Sequence, residues 1–378
     1  MAILQAMGCD IRVVAPVPFA PFPVNRLRSH WREYPAVSRK EEIDGIPVYH
    51  PRYISIPGTL FAWTSGSFLN LACTAVVRRL HLQASFQLVH SHFGFPEGFV
   101  GAAIAREYHV PLVITIQATD LYLTSKNSRR CRDLLRRALA AANEVISPTD
   151  ILARKLEQVY GCKSTVVNYG IDPERVCHST CSLRSKHDKR LVIMSVCQLM
   201  PSKGIDLTLY AFAELLKERD DIVYVIVGGG PDRSRLEMLA DSLGVRNHVE
   251  FVGHVSHNIA MDYMSICDVF VLPSWQETFG LVYAEAMAQG KVVVGCRGQG
   301  ISTLIETANA GVLADPKDCV SLKQSLKQLL DNSAQRMDMG KRGREFVLTH
   351  LTNEHTALKT LSVYKQSVAR FAGVSAIV

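Results

Sequence analysis

Two carboxylates eight residues apart, Glu277 and Glu285, lie in the stretch Leu272-Pro-Ser-Trp-Gln-Glu-Thr-Phe-Gly-Leu-Val-Tyr-Ala-Glu-Ala-Met-Ala-Gln-Gly290. The apolar run ending at Leu272 predicts a buried strand, Glu277 falls in the loop after it, and Phe279-Gly-Leu-Val opens a helix that Gly290 closes. At such a helix start the amides of Phe279, Gly280 and Leu281 favour an anion, because unpaired N–H groups and the helix dipole both attract negative charge. Gly280 permits close approach. Carboxylates cannot bind that anion, so Glu277 and Glu285 are expected to accept hydrogen bonds from hydroxyls, such as those of a sugar ring and a ribose. An anion beside polyols describes a nucleotide sugar. Lys203, next to Gly204 and just after the strand-like run Leu191–Val196, stands where ligands collect at the carboxyl end of a strand. The run Gly228-Gly-Gly230 before Pro231 reads as a tight turn and lacks the G-x-G-x-x-G spacing of a dinucleotide loop.

These groups need a scaffold, and the chain has the length for two domains, with 378 residues, 48% of them hydrophobic and 20% charged. That composition excludes a disordered or collagenous protein. Short β-branched runs alternate with helical stretches through the first half: Ile11–Pro16, Ile46–Tyr49, Leu88–His92, Leu112–Ile116, Glu144–Ser147 and Thr165–Asn168. A polar, irregular segment follows, and the alternation restarts at Leu191–Val196, Ile222–Val227, Val249–Val252, Val269–Leu272 and Val292–Gly295. Strands joined by crossover helices imply parallel sheets covered on both faces, hence an α/β protein with two doubly wound, Rossmann-like domains. The expected boundaries are 1–172 for the first domain, 173–189 for a linker and 190–350 for the second domain. Residues 351–378 form a helical segment that packs back on the first domain.

Other signals narrow the class. The formal net charge is +7, which suits an anionic substrate or membrane surface without a nucleic-acid motif to go with it. Ten scattered cysteines read as reduced thiols in a cytoplasmic protein, and Cys177-His178 with Cys181 has no second pair to complete a zinc site. No Asp-x-Asp occurs to hold a divalent cation, so no metal and no cofactor are expected. The start of the chain is unusual: Ala2–Met7 reads as the end of a helix capped by Gly8, with no strand or Gly-rich loop before it. No signal peptide is read there.

Taken together, these motifs resemble the retaining glycosyltransferases of family four, group 1, whose two Rossmann domains face a central cleft (the GT-B fold) and whose signature is E-x7-E. The likeness runs in order through His90-Ser-His-Phe-Gly-Phe-Pro-Glu-Gly98, Ile116-Gln-Ala-Thr-Asp120, Tyr169-Gly-Ile-Asp172, Pro201-Ser-Lys-Gly-Ile-Asp206, Val227-Gly-Gly-Gly-Pro231, Phe251-Val-Gly-His-Val255, Gly298–Glu306 and Gly311-Val-Leu. The resemblance implies that Lys203 pairs with the donor diphosphate, Glu285 holds the ribose hydroxyls and Glu277 contacts the transferred sugar. Gly204, Gln198, Gly228, Gly230, Phe279, Gly280 and Leu281 complete the expected donor site. Gln117 and His92 join Glu277 as catalytic candidates, and Asp120 and Tyr169 are placed on the acceptor side.

Some positions depart from that pattern. Gln117 stands where the family usually has His, which removes an imidazole but keeps a hydrogen-bonding group. Gln198 replaces an arginine, at a cost of roughly 2 kcal/mol for a lost charged hydrogen bond. Tyr169 replaces Asn, and on this reading the family's first strand with its Gly-rich loop is expected to be missing. The expected activity is transfer of a sugar from a nucleotide diphosphate to a glycan or lipid-linked acceptor, with retention of configuration and without metal. The alternative is an impaired, scaffold-like relative that keeps the donor-binding domain; a nicotinamide-dependent oxidoreductase is disfavoured for want of its glycine loop. The arginines at 129, 130, 132, 136 and 137, with the uncharged stretch Phe61–Val77, mark an anionic membrane surface as a further expected partner, met peripherally from the cytoplasmic face.

Overall fold

The structure, a computed structural model, describes residues 1–19, 34–55, 62–124, 128–177 and 190–373. The chain divides into two compact units, one of residues 1–167 with 356–378 and one of residues 168–355.

The second unit is built on six parallel strands: β10 (Leu191–Val196), β11 (Ile222–Val227), β12 (Val249–Gly253), β13 (Val269–Val271), β14 (Val292–Cys296) and β15 (Gly311–Ala314). Their spatial order is β12-β11-β10-β13-β14-β15, so the winding reverses between β10 and β13. Strands covered on both faces need apolar residues at every position, and all six residues of β11 are buried. The helices Ile205–Leu216, Arg233–Ser242, His257–Ser265, Leu281–Ala288 and Ser302–Ala308 make the crossovers. Leu209, Phe212, Met287 and Ile305 pack from them into one core with Ile193, Tyr224 and Phe270. Ser195, buried in this core, is satisfied: its Oγ donates to the Val271 carbonyl at 2.6 Å and lies 2.7 Å from the Tyr224 hydroxyl.

In the first unit the strands β6 (Val89–His92), β7 (Leu112–Thr115), β8 (Glu144–Ser147) and β9 (Thr165–Val166) form a parallel sheet in that order. Side chains alternate across it. Leu112 and Ile114 join Leu135 and Leu156 on one face, whereas Val113 and Ile146 meet Val167 and Val363 on the other. Val363 belongs to the closing helix, Asn353–Phe371. Two smaller sheets precede these. β1 (Val13–Val14) pairs in parallel with β4 (Ile46–Tyr49), which also forms a hairpin with β3 (Lys40–Ile43), while β2 (Val17–Phe19) pairs with β5 (Arg52–Ile54). The helix Ala2–Ala6 opens the chain, and Gly8 follows it with its amide on the Gln5 carbonyl. Among the described residues, no helix is long and apolar enough to cross a membrane.

The boundary between the units differs from the sequence expectation. It falls at 167/168 rather than 172, because Ile171 is tied into the second unit: its amide donates to the Leu351 carbonyl and its carbonyl accepts from the Asn353 amide. Tyr169 therefore belongs to the second unit. Residues Pro173–Cys177, read as linker, form a short helix whose Val176 is buried and whose Val176 carbonyl accepts from Gln289 Nε2 at 2.9 Å. His178 and Cys181, with the rest of the expected linker up to 189, lie outside the described residues.

The tie at Ile171 demands close backbone contact. A Cβ on Gly170 would sit 2.2 Å from the Thr352 carbonyl oxygen and 2.5 Å from the Asn353 amide nitrogen. Gly170→Ala should therefore cost roughly 1–3 kcal/mol of stability, an overpacking penalty against rigid backbone. Gly161→Ala, which meets nothing within 4 Å, should cost about 1 kcal/mol through its left-handed backbone alone. Urea unfolding followed by circular dichroism gives the comparison; equal losses would show that the 170/352 crossing yields freely.

Candidate active site

The loop after β10 is fixed by its passage against the loop after β11. Leu199 donates its amide to the Gly229 carbonyl at 2.9 Å, and Asp232 donates back to the Leu199 carbonyl at 3.2 Å. No side chain fits between the two loops: a Cβ on Gly228 would lie 1.9 Å from the Cys197 carbonyl oxygen, and one on Gly230 would lie 2.3 Å from that of Leu199. Gln198, between the two clamped residues, is exposed. Burial pushes the neighbouring Cys197 thiol up to about 12, which keeps it protonated and out of any nucleophilic role. The loop then turns through Pro201–Lys203 to Gly204, whose left-handed φ of 71° starts the next helix.

That turn brings Lys203 to the loop after β13. Lys203 Nζ donates to Glu277 Oε2 at 2.7 Å, with the two side chains 21% and 14% exposed. The backbones are joined as well, since Trp275 donates its amide to the Ser202 carbonyl at 3.1 Å, and the Glu277 amide reaches Gln299 Oε1 at 3.3 Å. β10 and β13 are the neighbours at which the winding reverses, the place where an open α/β sheet leaves a crevice. Beyond Glu277, Phe279 is buried and packs edge-to-face on Tyr169, with ring centroids 5.6 Å apart. Its amide, not its ring, is what it can offer a ligand. Gly280 takes φ 83° and opens the helix Leu281–Ala288, whose first residue is exposed. Tyr283 anchors this helix by donating its hydroxyl to the Leu272 carbonyl. Glu285, one turn after Leu281, accepts from His257 Nε2 at 2.8 Å.

Sequence reasoning thus assembled Lys203, Gly204, Glu277, Gly280 and Glu285 at the strand ends of one unit, but missed His257 and Gln299. His257 opens a helix directly after Ser256, and only the fold brings it to Glu285. Tyr169, expected on the acceptor side with the first domain, instead packs behind the Glu277 loop.

The candidates of the first unit form a separate group. Asp120 is buried, and both its oxygens are engaged: Oδ1 accepts from the amides of Gly94 and Phe95 at 3.0 and 3.2 Å, and Oδ2 accepts from the Gln117 amide at 2.9 Å. It therefore pins the loop after β6 to the loop after β7. Burial raises it to about 6 in spite of these three donors. Burial and the nearby Asp120 charge likewise raise Glu97 to about 7. His90 and His92 share a face of β6 and stack with centroids 4.4 Å apart. His90 is fully employed, with Nδ1 2.6 Å from the Tyr364 hydroxyl and Nε2 2.7 Å from Thr115 Oγ1. Burial, helped by His92, lowers it to about 3. His92 is exposed at the strand end and is also lowered.

Comparison with known proteins agrees with this architecture. The fold matches a sucrose-phosphate synthase from Thermosynechococcus elongatus with a TM-score of 0.80 at 20% identity, covering 97% of this chain and 91% of that one. It matches the Anabaena protein Alr3699/HepE, solved in complex with UDP, with a TM-score of 0.74 at 19% identity over 97% and 95% of the two chains. The fold is therefore that of the GT-B glycosyltransferases. The family model for glycosyltransferase family 4 matches residues 3–175 and that for glycosyl transferases group 1 matches residues 183–346. A D-inositol 3-phosphate glycosyltransferase of Catenulispora acidiphila is 29% identical over 83% of this chain and 77% of its own length. The chain belongs to the group 1, family 4 glycosyltransferases and is an enzyme of that class.

The neutral state of His90 has a measurable consequence. Its folded value lies below the ordinary 6.5, so the unfolded chain binds the extra proton first and stability falls as pH drops from about 6.5 towards 3. Asp120 and Glu97, raised by burial, act in the opposite sense and lose stability as pH rises through about 4 to 7. Comparing wild type with His90→Gln isolates the histidine. The wild-type advantage should shrink by roughly 1–2 kcal/mol between about pH 7 and pH 5, read from urea midpoints at each pH. A constant difference would mean that His90 binds its proton equally well in the folded and unfolded chain.

Proposed function

We propose that the enzyme transfers a sugar from a nucleotide diphosphate donor to a glycan or lipid-linked acceptor, with retention of configuration and without a metal ion. The observation that carries this reading is the Lys203–Glu277 pair at 2.7 Å, set at the strand ends where the winding of the second unit reverses. An ammonium and a run of helix-start amides supply positive potential for a diphosphate. Glu277 and Glu285 supply acceptors for hydroxyls on either side of it. Lys203 and Glu277 satisfy each other; a donor would exchange that bond for a phosphate oxygen on Lys203 and a sugar hydroxyl on Glu277. The UDP in the solved Anabaena protein favours a uridine donor as the first to try. In the first unit, Gln117 and His92 are the groups we keep beside Glu277 as catalytic candidates, while Asp120 positions the Gln117 loop. We place the enzyme in the cytoplasm, with peripheral contact to an anionic membrane.

A second reading, a donor-binding scaffold with impaired turnover, is favoured by Gln198, an exposed neutral side chain beside the donor loop. Both readings are tested with UDP-, GDP- and ADP-sugars, measuring binding by calorimetry and sugar release or transfer by product analysis, each with and without EDTA. Lys203→Ala should weaken donor binding by about 1–3 kcal/mol. Gln198→Arg should tighten it through a new charge-assisted contact, and Gln117→His should raise the rate with little change in affinity. Binding without turnover supports the scaffold; loss of activity with EDTA refutes metal independence; an inverted anomeric product, seen by NMR, refutes retention. No binding of any donor would refute the function proposed.

A further inference from the structure

The helix Ser65–Gln83 contains no aspartate or glutamate, and it is apolar on two faces. One face is accounted for: Leu69, Cys73, Val77 and Leu80 are buried, the first three packing with Val100. The other is not. Leu71 and Leu82 are 76% and 79% exposed, among the most exposed large apolar side chains of the described residues. At 100° per residue, Leu71, Ala75, Arg78 and Leu82 fall within about 60° of one another on the helix surface. Together with Thr74 and Arg79 they line a shallow depression of about 470 Å³. The two leucines stand about 16 Å apart along the axis, at 1.5 Å per residue, with the arginines between them. The positive charge extends sideways: Arg79 and Lys40 both approach the Tyr49 ring, at 5.5 and 5.6 Å from its centroid, while Glu41 beside Lys40 is bound to His50 at 2.8 Å.

The arginine-rich helix Arg129–Ala141, which the sequence marks for such a role, is a poorer candidate. Its Arg130 lies over the Trp63 ring at 4.6 Å, and its Arg136 lies over the Tyr160 ring at 5.7 Å and pairs with Asp133 at 3.2 Å. It presents no apolar side chain as exposed as Leu71 or Leu82.

We infer that the outer face of the Ser65–Gln83 helix is the surface by which this enzyme lies on an anionic lipid bilayer. A straight row of exposed leucines flanked by long cationic side chains suits a flat interface: the leucines enter the acyl boundary while the arginines, on their apolar stems, stay with the headgroup phosphates. The lack of any carboxylate on the helix makes the match to an anionic surface one of charge as well as shape. The inference rests on the membrane contact proposed above and names the surface that makes it; its test contains no nucleotide sugar, so its failure leaves the sugar-transfer reading standing.

The test is flotation of the full-length protein with vesicles of phosphatidylcholine alone or with about one third phosphatidylglycerol, at low and high salt. The protein should float at least fivefold more with the anionic vesicles, and salt should reduce that binding. Leu71→Ser with Leu82→Ser should cut binding at least tenfold, with an unchanged unfolding midpoint because both side chains are already exposed. Arg78→Gln with Arg79→Gln should abolish the preference for anionic lipid, while Arg136→Gln with Arg137→Gln should leave it intact. Equal or absent flotation with the two vesicle types, or wild-type flotation of the double leucine variant, overturns the inference. So does a concentration-dependent dimer, seen by sedimentation velocity, that the leucine substitutions dissolve, because it would assign the face to a second copy of the chain.

Discussion

The chemistry of the second unit depends on two loops running backbone against backbone. With Gly228 and Gly230 in one loop, the carbonyls of Cys197 and Leu199 in the other approach to distances no side chain would allow. This holds residues 197–204 over the end of the sheet, instead of letting them swing into solvent. Lys203 then has a defined place, and its ammonium meets Glu277 from the adjacent strand's loop. A larger residue at either glycine would move the lysine as surely as mutating the lysine itself. The glycine run is therefore a positioning element, whatever it touches directly.

The pair it creates is also an electrostatic store. Lys203 and Glu277 are both mostly buried, so neither charge is well solvated, and each is tolerable because of the other. A ligand that brings both an anion and a hydroxyl can replace the internal bond on both sides at once, whereas a simple anion would satisfy the lysine and strand the carboxylate.

The strands of the second unit were legible because strands buried on both faces are continuous apolar runs, and Ile222–Val227 and Val292–Cys296 announce themselves. The edges of the first unit were not. Lys40-Glu-Glu-Ile43 is wholly exposed and charged at three of its four positions, so its pairing with β4 leaves no apolar alternation to read; only the Asp44-Gly45 turn between them, with φ of 51° and 76°, signals the hairpin. The boundary near 172 was misplaced for a related reason: what joins Ile171 to the second unit is a pair of backbone hydrogen bonds to Leu351 and Asn353, far along the chain, and backbone bonds carry no residue code. At the site, residue types that must contact ligand through short loop spacings could be read locally. Contacts between loops, such as His257 with Glu285, could not. Asp120 is instructive in another way, since the position was read as ligand-facing while its carboxylate holds three amides of its own chain.

The division of the chain also dictates an order of assembly during synthesis. Residues 168–355 form the second unit without interruption, so everything it needs has left the ribosome once that stretch has emerged. The first unit is different: although its sheet is made early, one face of that sheet is closed by Val363 and Tyr364, against Val113, Ile146 and Val167. Until the last helix is released, those strands must wait with an apolar face uncovered, while the second unit is already complete. The nascent first unit is therefore the state most exposed to aggregation, and chaperone dependence or truncation damage should be felt there rather than in the part of the molecule that carries Lys203 and Glu277.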